Sequence, residues 1–159
     1  MKRILGEVLI HEAAVEEDAL RNTDLVTLAM RGQQRIACRI RRHRYLTDHS
    51  HEFTIRCSLR SERQTEFDKL LQGWGDFLFY GFANETETGL AQWFIGDLEI
   101  FRRWLRHHHD RHGEWPGVVV GNPDGSSRFR VFSLRDMDPR FVIKQGQQKQ
   151  RYPYHPQLN

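Results

Sequence analysis

Residues 24–42 read DLVTLAMRGQQRIACRIRR. TDLVTLAM (23–30) reads as a strand and Arg31-Gly32-Gln33 as a turn, and a second strand follows. In RIACRIRRHRYL (35–46), Ile36, Cys38 and Ile40 fall on one face, and Arg35, Ala37, Arg39 and Arg41 on the other. EFTIRCSLR (52–60) alternates in the same way, with Phe53, Ile55, Cys57 and Leu59 against Thr54, Arg56, Ser58 and Arg60. The two patterns fit neighbouring antiparallel strands of one sheet. One face is then apolar and covered by helix, and the other carries Arg35, Arg39, Arg41, Arg56 and Arg60. Like charges set directly opposite one another destabilise a sheet. That face therefore calls for an anion, whether protein carboxylate, phosphate or another chain.

Working outward, GEVLIHEAAVEEDALR (6–21) has a rough apolar stripe and predicts a helix. SERQTEFDKLLQGW (61–74) predicts another, with Ser61 as N-cap, Gln64 as its capping-box partner and Gly73 and Gly75 at the end. DFLFYGFA (76–83) is apolar on both faces and predicts a central buried strand, reached by a parallel crossover. LAQWFI (90–95) is a further strand, and Asp97 caps the helix LEIFRRWLRHHHD (98–110). VVVGNPDGSSRFRVFSL (118–134) reads as a hairpin around NPDG. The fold class is α/β or α+β, a mixed central sheet of five or six strands flanked by helices. Residues 1–144 form one globular domain, and 145–159 form a polar C-terminal tail.

Length and composition agree with one domain: 159 residues, 38% apolar and 11% aromatic. No apolar run is long enough for a transmembrane helix, and the first residues lack a signal-peptide pattern. Cys38 and Cys57 sit in strand-like runs and form no CxxC pair, so a cytoplasmic chain with reduced thiols is expected. Net charge is only +3, but residues 31–63 hold nine arginines and no lysine against Asp48, Glu52 and Glu62, a local +6. Guanidinium groups fork onto phosphate and carboxylate alike. Nucleic acid, a protein partner and a second copy of the chain are all compatible partners; a membrane is not expected.

The order helix, strand, strand, strand, helix, strand, with Asp24 opening a strand in T-D-L-V, resembles the PD-(D/E)XK nuclease superfamily, which includes restriction endonucleases and archaeal Holliday-junction resolvases. The resemblance covers roughly residues 6–83 and implies a restriction-endonuclease-like core. It also implies carboxylates that hold Mg²⁺ or Mn²⁺ to activate water, with a lysine supporting the developing charge. Glu16 or Glu17 matches the helix acid and Asp24 the strand-opening aspartate. Arg39-Ile40-Arg41 falls where E-x-K belongs, and this departure puts cations at the metal's place. Glu66, with Lys69 one turn later, is the substitute carboxylate that the neighbouring helix offers. The candidate catalytic residues are thus Glu17, Asp24, Glu66 and Lys69, and the candidate metal ligands Asp24 and Glu66. Bland roles compete: Asp24 as a turn residue or salt-bridge partner, and Glu66 as a helix-start acid.

Two readings of the arginine face stay open. Its guanidiniums grip phosphates without cleaving them, or Glu16, Glu17 and Asp24 pair internally with Arg39 and Arg41 in an ionic cluster. On the first reading Arg35, Arg39, Arg41, Arg56, Arg60, Arg102 and Arg106 bind nucleic acid. RHHHDRHGEW (106–115) offers His108 and His112 at zinc-like i, i+4 spacing, though not as H-E-x-x-H, and a basic helix end explains it as well. Asp76 reads as a turn residue. No phosphate-loop or nucleophile-elbow motif occurs. The expected function is nucleic-acid or polyanion binding on a nuclease-like fold with a broken metal site and no cofactor. The alternatives are an active Mg²⁺- or Mn²⁺-dependent nuclease, or an assembly protein whose arginine face meets a partner subunit.

Overall fold

The structure is a computed structural model that describes residues 9–12, 25–29, 32–60 and 63–147. The chain is α/β. Six strands form a mixed sheet in the order β1 (Leu9–Glu12), β2 (Leu25–Ala29), β3 (Gly32–Arg41), β5 (Phe77–Ala83), β6 (Leu90–Asp97) and β9 (Val142–Gln147). A second, antiparallel sheet holds β4 (Glu52–Leu59), β8 (Ser127–Ser133) and β7 (Val118–Gly121). The helices among the described residues are α1 (Leu46–His49), α2 (Glu66–Leu71) and α3 (Leu98–His112).

β5 takes the central place its two apolar faces predict, parallel to β3 and antiparallel to β6. Asp76 pins its start. The Arg35 N–H donates to the Asp76 carboxylate at 2.6 Å, and the Asp76 N–H donates to the Arg35 carbonyl at 2.9 Å. The main core lies between the two sheets and α3. Phe53 of β4 is fully buried at its centre, with its ring 5.3–6.1 Å from those of Tyr80, Phe94, Phe101, Phe132 and Phe141. Burying each such ring stabilises by about 1.5–3 kcal/mol, and edge and offset ring pairs add to that.

Several sequence expectations change. Residues 9–12, assigned to a helix, are the strand β1, paired antiparallel with β2 from Leu9↔Leu28 to Glu12↔Leu25. The stripe there is weak, and an available strand edge overrides a modest helical preference. β3 and β4 are not neighbours. A 3₁₀ turn at His43–Tyr45 and α1 carry the chain away from β3 and into the second sheet. The parallel partner of β5 is therefore β3, with α1, β4 and α2 all lying within the crossover. α2 is capped by Thr65 rather than Ser61: Asp68 N–H donates to the Thr65 hydroxyl, and Thr65 N–H to the Asp68 carboxylate. β9 runs to Gln147, so residues 145–147, assigned to the tail, pair with β6.

The face assignment of β3 is also reversed. Its alternation is as expected, but Ala37, Arg39 and Arg41 stand in register with Leu78, Tyr80 and Phe82, which belong to the main core. Ile36, with Phe79 and Ile95, forms a smaller cluster on the opposite face. The arginine row therefore points toward the second sheet.

Candidate functional site

The arginines of β3 and β4 meet where the two sheets approach one another. Arg39 reaches from β3 to β4 and α2. Its Nη2 donates to both oxygens of Glu66, at 2.8 and 3.1 Å. Its Nη1 donates to the hydroxyl and the carbonyl of Thr54, at 3.2 and 3.4 Å. Thr54 Oγ1 in turn lies 3.3 Å from the hydroxyl of the buried Tyr80. Arg56 approaches Glu66 twice: its backbone N–H donates to Oε2 at 3.2 Å, and its Nη2 lies 3.8 Å from Oε1.

Phe129 of β8 stands opposite Arg56 in the register. The guanidinium carbons of Arg39 and Arg56 lie 5.1 and 5.6 Å from its ring centroid. An aromatic face attracts cations at that range. Two guanidiniums against one carboxylate leave the group with one net positive charge. Arg39 and Glu66 keep about a fifth of their side-chain surface in solvent, and Arg56 keeps 38%. The group is partly screened, yet Arg56 is open to a further anion.

A second group stands beside the first. Arg41 follows Arg39 by two residues on the same face of β3, roughly 7 Å along the strand. Its guanidinium carbon lies 4.1 Å from the Tyr45 ring centroid, with that of Arg44 at 4.9 Å. A hydrogen bond from Arg44, then the Arg44 charge, holds the Tyr45 phenol below its ordinary pKa. Thr54, Tyr80, Phe129, Arg44 and Tyr45 were not among the candidates from sequence. Each sits next to an arginine only through a pairing or a turn that strand alternation does not encode.

The remaining candidates are spread out. Glu17 and Asp24 lie outside the described residues. Lys69 sits on α2, half-buried, one turn beyond Glu66. Arg35 engages Asp76 through its backbone, and Arg60 is exposed at the end of β4. Arg102, a candidate for phosphate, is buried: it donates to Glu99 at 3.1 Å and to the Gly75 carbonyl at 3.1 Å. Arg106 is exposed and reaches the Leu71 carbonyl at 3.4 Å. His108 and His112 lie 4.4 Å apart by ring centroids, and His109 stacks on Trp115 at 4.2 Å. Among the described residues no three His, Cys, Asp or Glu side chains are grouped to hold a metal.

Glu66 does not fit the metal-ligand role. Both of its oxygens already accept hydrogen bonds, and a divalent ion there would have to displace a guanidinium and stand beside two of them. Comparison with protein-family models, curated proteins and solved structures returns no match. No helix among the described residues is long and apolar enough to cross a membrane.

Proposed function

We propose that this chain binds a phosphate polyanion, nucleic acid above all, at the sheet junction, and binds it without cutting. One observation carries this reading: the guanidiniums of Arg39 and Arg56 both lie over the Phe129 ring and share Glu66 as their carboxylate. Guanidiniums held on an aromatic face offer a nucleic acid both charge for its backbone and a surface for a base. The Arg41, Arg44 and Tyr45 group repeats the arrangement alongside. Arg39 acts as a positioning residue, since it is engaged by Glu66, Thr54 and Phe129, whereas Arg41, Arg56 and Arg60 meet the ligand. Kinship with the PD-(D/E)XK nucleases belongs to the same proposal. It is supported by the antiparallel β2–β3 pair with β5 parallel beside it, and opposed by β1 standing where the first helix would begin. A cytoplasmic location belongs to the same proposal, supported by two cysteines set in strands and by the lack of a CxxC pair in the sequence.

The test is fluorescence anisotropy with labelled single- and double-stranded oligonucleotides at about 50 and about 200 mM salt. Affinity should fall steeply between the two, and Arg56→Glu and Arg41→Glu should each lower it and reduce the salt slope by about one. Affinity indifferent to salt and to both variants sinks the proposal. Incubation with supercoiled DNA and Mn²⁺ should yield no cutting above that of Glu66→Gln. Cutting that Glu66→Gln abolishes would favour a metal-dependent nuclease instead.

A further inference from the structure

β7 is an open edge. Among the described residues it pairs only with β8, and its outer N–H and C=O groups face away from the second sheet. Its sequence is VVVG, and Val118, Val119 and Val120 are 69%, 42% and 43% exposed. Natural edge strands are kept short or blunted by charge, proline or a bulge, because a bare edge is a template for another strand; β7 is short, at four residues. β7 carries no charged residue and no proline, and its register with β8 runs unbroken from Val118↔Val131 to Gly121↔Arg128.

Beside this edge lies a cavity of about 760 Å³. It opens between the later turns of α3, the connection at 114–117 and the second sheet, with Val118 and Val119 in its wall. Trp104 and Trp115 supply aromatic surface, and Glu52, Glu114 and Asp136 supply carboxylates. Arg130 also lines it, but its Nη1 is turned to the wall and donates to the carbonyls of Trp115, Pro116 and Gly117 at 2.8–3.1 Å. Glu52 is already engaged by His49 Nδ1 at 2.7 Å, so Glu114 and Asp136, both exposed, are the acids the cavity offers to a cation.

We propose that β7 and this cavity together form a docking site for an extended, basic segment of a partner protein. The segment adds to β7 as a further strand, so its backbone satisfies the open edge. An arginine or lysine side chain then enters the cavity, where Trp104 and Trp115 give its aliphatic stem an apolar wall, and Glu114 and Asp136 meet its charge. A second copy of this chain is a poorer occupant. Two β7 strands laid side by side would pair their valines, but VVVG brings no cation to the acids.

The probe is a fluorescein-labelled peptide of alternating valine and arginine, with a control in which glutamate replaces each arginine. The full-length chain should bind the arginine peptide with quenching of tryptophan fluorescence, and should not bind the glutamate peptide. Glu114→Lys with Asp136→Lys changes two exposed side chains and should weaken binding about tenfold or more. Val119→Lys places a gatekeeping charge on the edge and should weaken it as well. Arg56→Glu should leave peptide binding unchanged, which separates this site from the arginine groups. Equal binding of both peptides, or no binding of the arginine peptide at millimolar concentration, overturns the proposal. So does concentration-dependent dimerisation in sedimentation equilibrium that Val119→Lys abolishes, because the edge would then pair with its own copy.

Discussion

Glu66 is the residue on which the site turns. It lies in the first turn of α2, where the helix dipole already favours a carboxylate. Two guanidiniums and a backbone N–H converge on it. Removing the carboxylate leaves Arg39 partly buried and short of its partner, and such a loss outweighs the modest net value of an exposed pair. Glu66→Ala should lower unfolding free energy by about 2 kcal/mol, and Glu66→Ala with Arg39→Ala should cost about 1 kcal/mol less than the two added. Urea unfolding of the four proteins measures both, and additivity would mean the pair does not couple. Asp138 offers a cleaner titration. Its hydrogen bonds to the side chain and backbone of Arg140 lower its pKa from 3.8 to about 2. A depressed carboxylate adds stability above its unfolded pKa and loses it as pH falls through the folded value. The contribution is therefore whole above about pH 4 and gone below about 2. An NMR titration should place the Asp138 midpoint near 2, and Arg140→Ala should move it up toward 3.8; an unmoved midpoint would remove Arg140 as the cause. The sequence brought Glu66 to notice as an acid near a helix start. What it faces was not legible, because Arg39 lies 27 positions away on another sheet.

At the scale of elements, caps and periodicity divide what was legible from what was not. Asp97 caps α3 as read, its carboxylate accepting from the N–H groups of Glu99 at 2.8 Å and Ile100 at 3.1 Å. For α2 the sequence pointed to Ser61, and the reciprocal bonds of Thr65 and Asp68, four residues on, set the start instead. Asp97→Ala and Thr65→Ala should each cost about 1 kcal/mol, the usual value of a lost N-cap. Chemical denaturation checks this, and a change below about 0.5 kcal/mol at either position would assign the helix start to packing instead. The alternation of β3 holds along the strand, and that of β4 holds as far as Arg56, where a bulge before Ser58 breaks it. Alternation could not show that the two strands join different sheets, because period two reports which residues share a face and not what lies across from it. The sequence therefore points to the arginine row as the face opposite the packed one. An apolar face on the other side, with Ile36 and Cys38, looks like the better candidate for the core until the second sheet is in place.

Across the whole molecule, one ring ties the layers together. Phe53 belongs to the second sheet, yet its ring contacts Tyr80 and Phe94 of the first sheet, Phe101 of α3 and Phe141 just before β9. It stacks on Phe132 within its own sheet at 5.3 Å. Nothing in EFTIRCSLR marks Phe53 as more central than Ile55 or Leu59, since centrality depends on what converges from four other elements. A domain of this size has a net stability of about 5–15 kcal/mol. Phe53→Ala should remove about 3–5 kcal/mol of it, through lost burial and the cavity left among unyielding rings. Phe53→Leu keeps much of the volume and should cost under about 1.5 kcal/mol. The two sheets share this core, so they should unfold as one. Far-UV circular dichroism and tryptophan fluorescence, the latter reporting Trp104 and Trp115 near the second sheet and Trp93 on the first, should then give coincident denaturation curves in the parent and in Phe53→Leu. Separated transitions in the parent would mean that each sheet is stable without the other. The arginine groups at their junction would then rest on a hinge, and the Arg39–Glu66 pair would be holding the layers together and not merely filling the space between them.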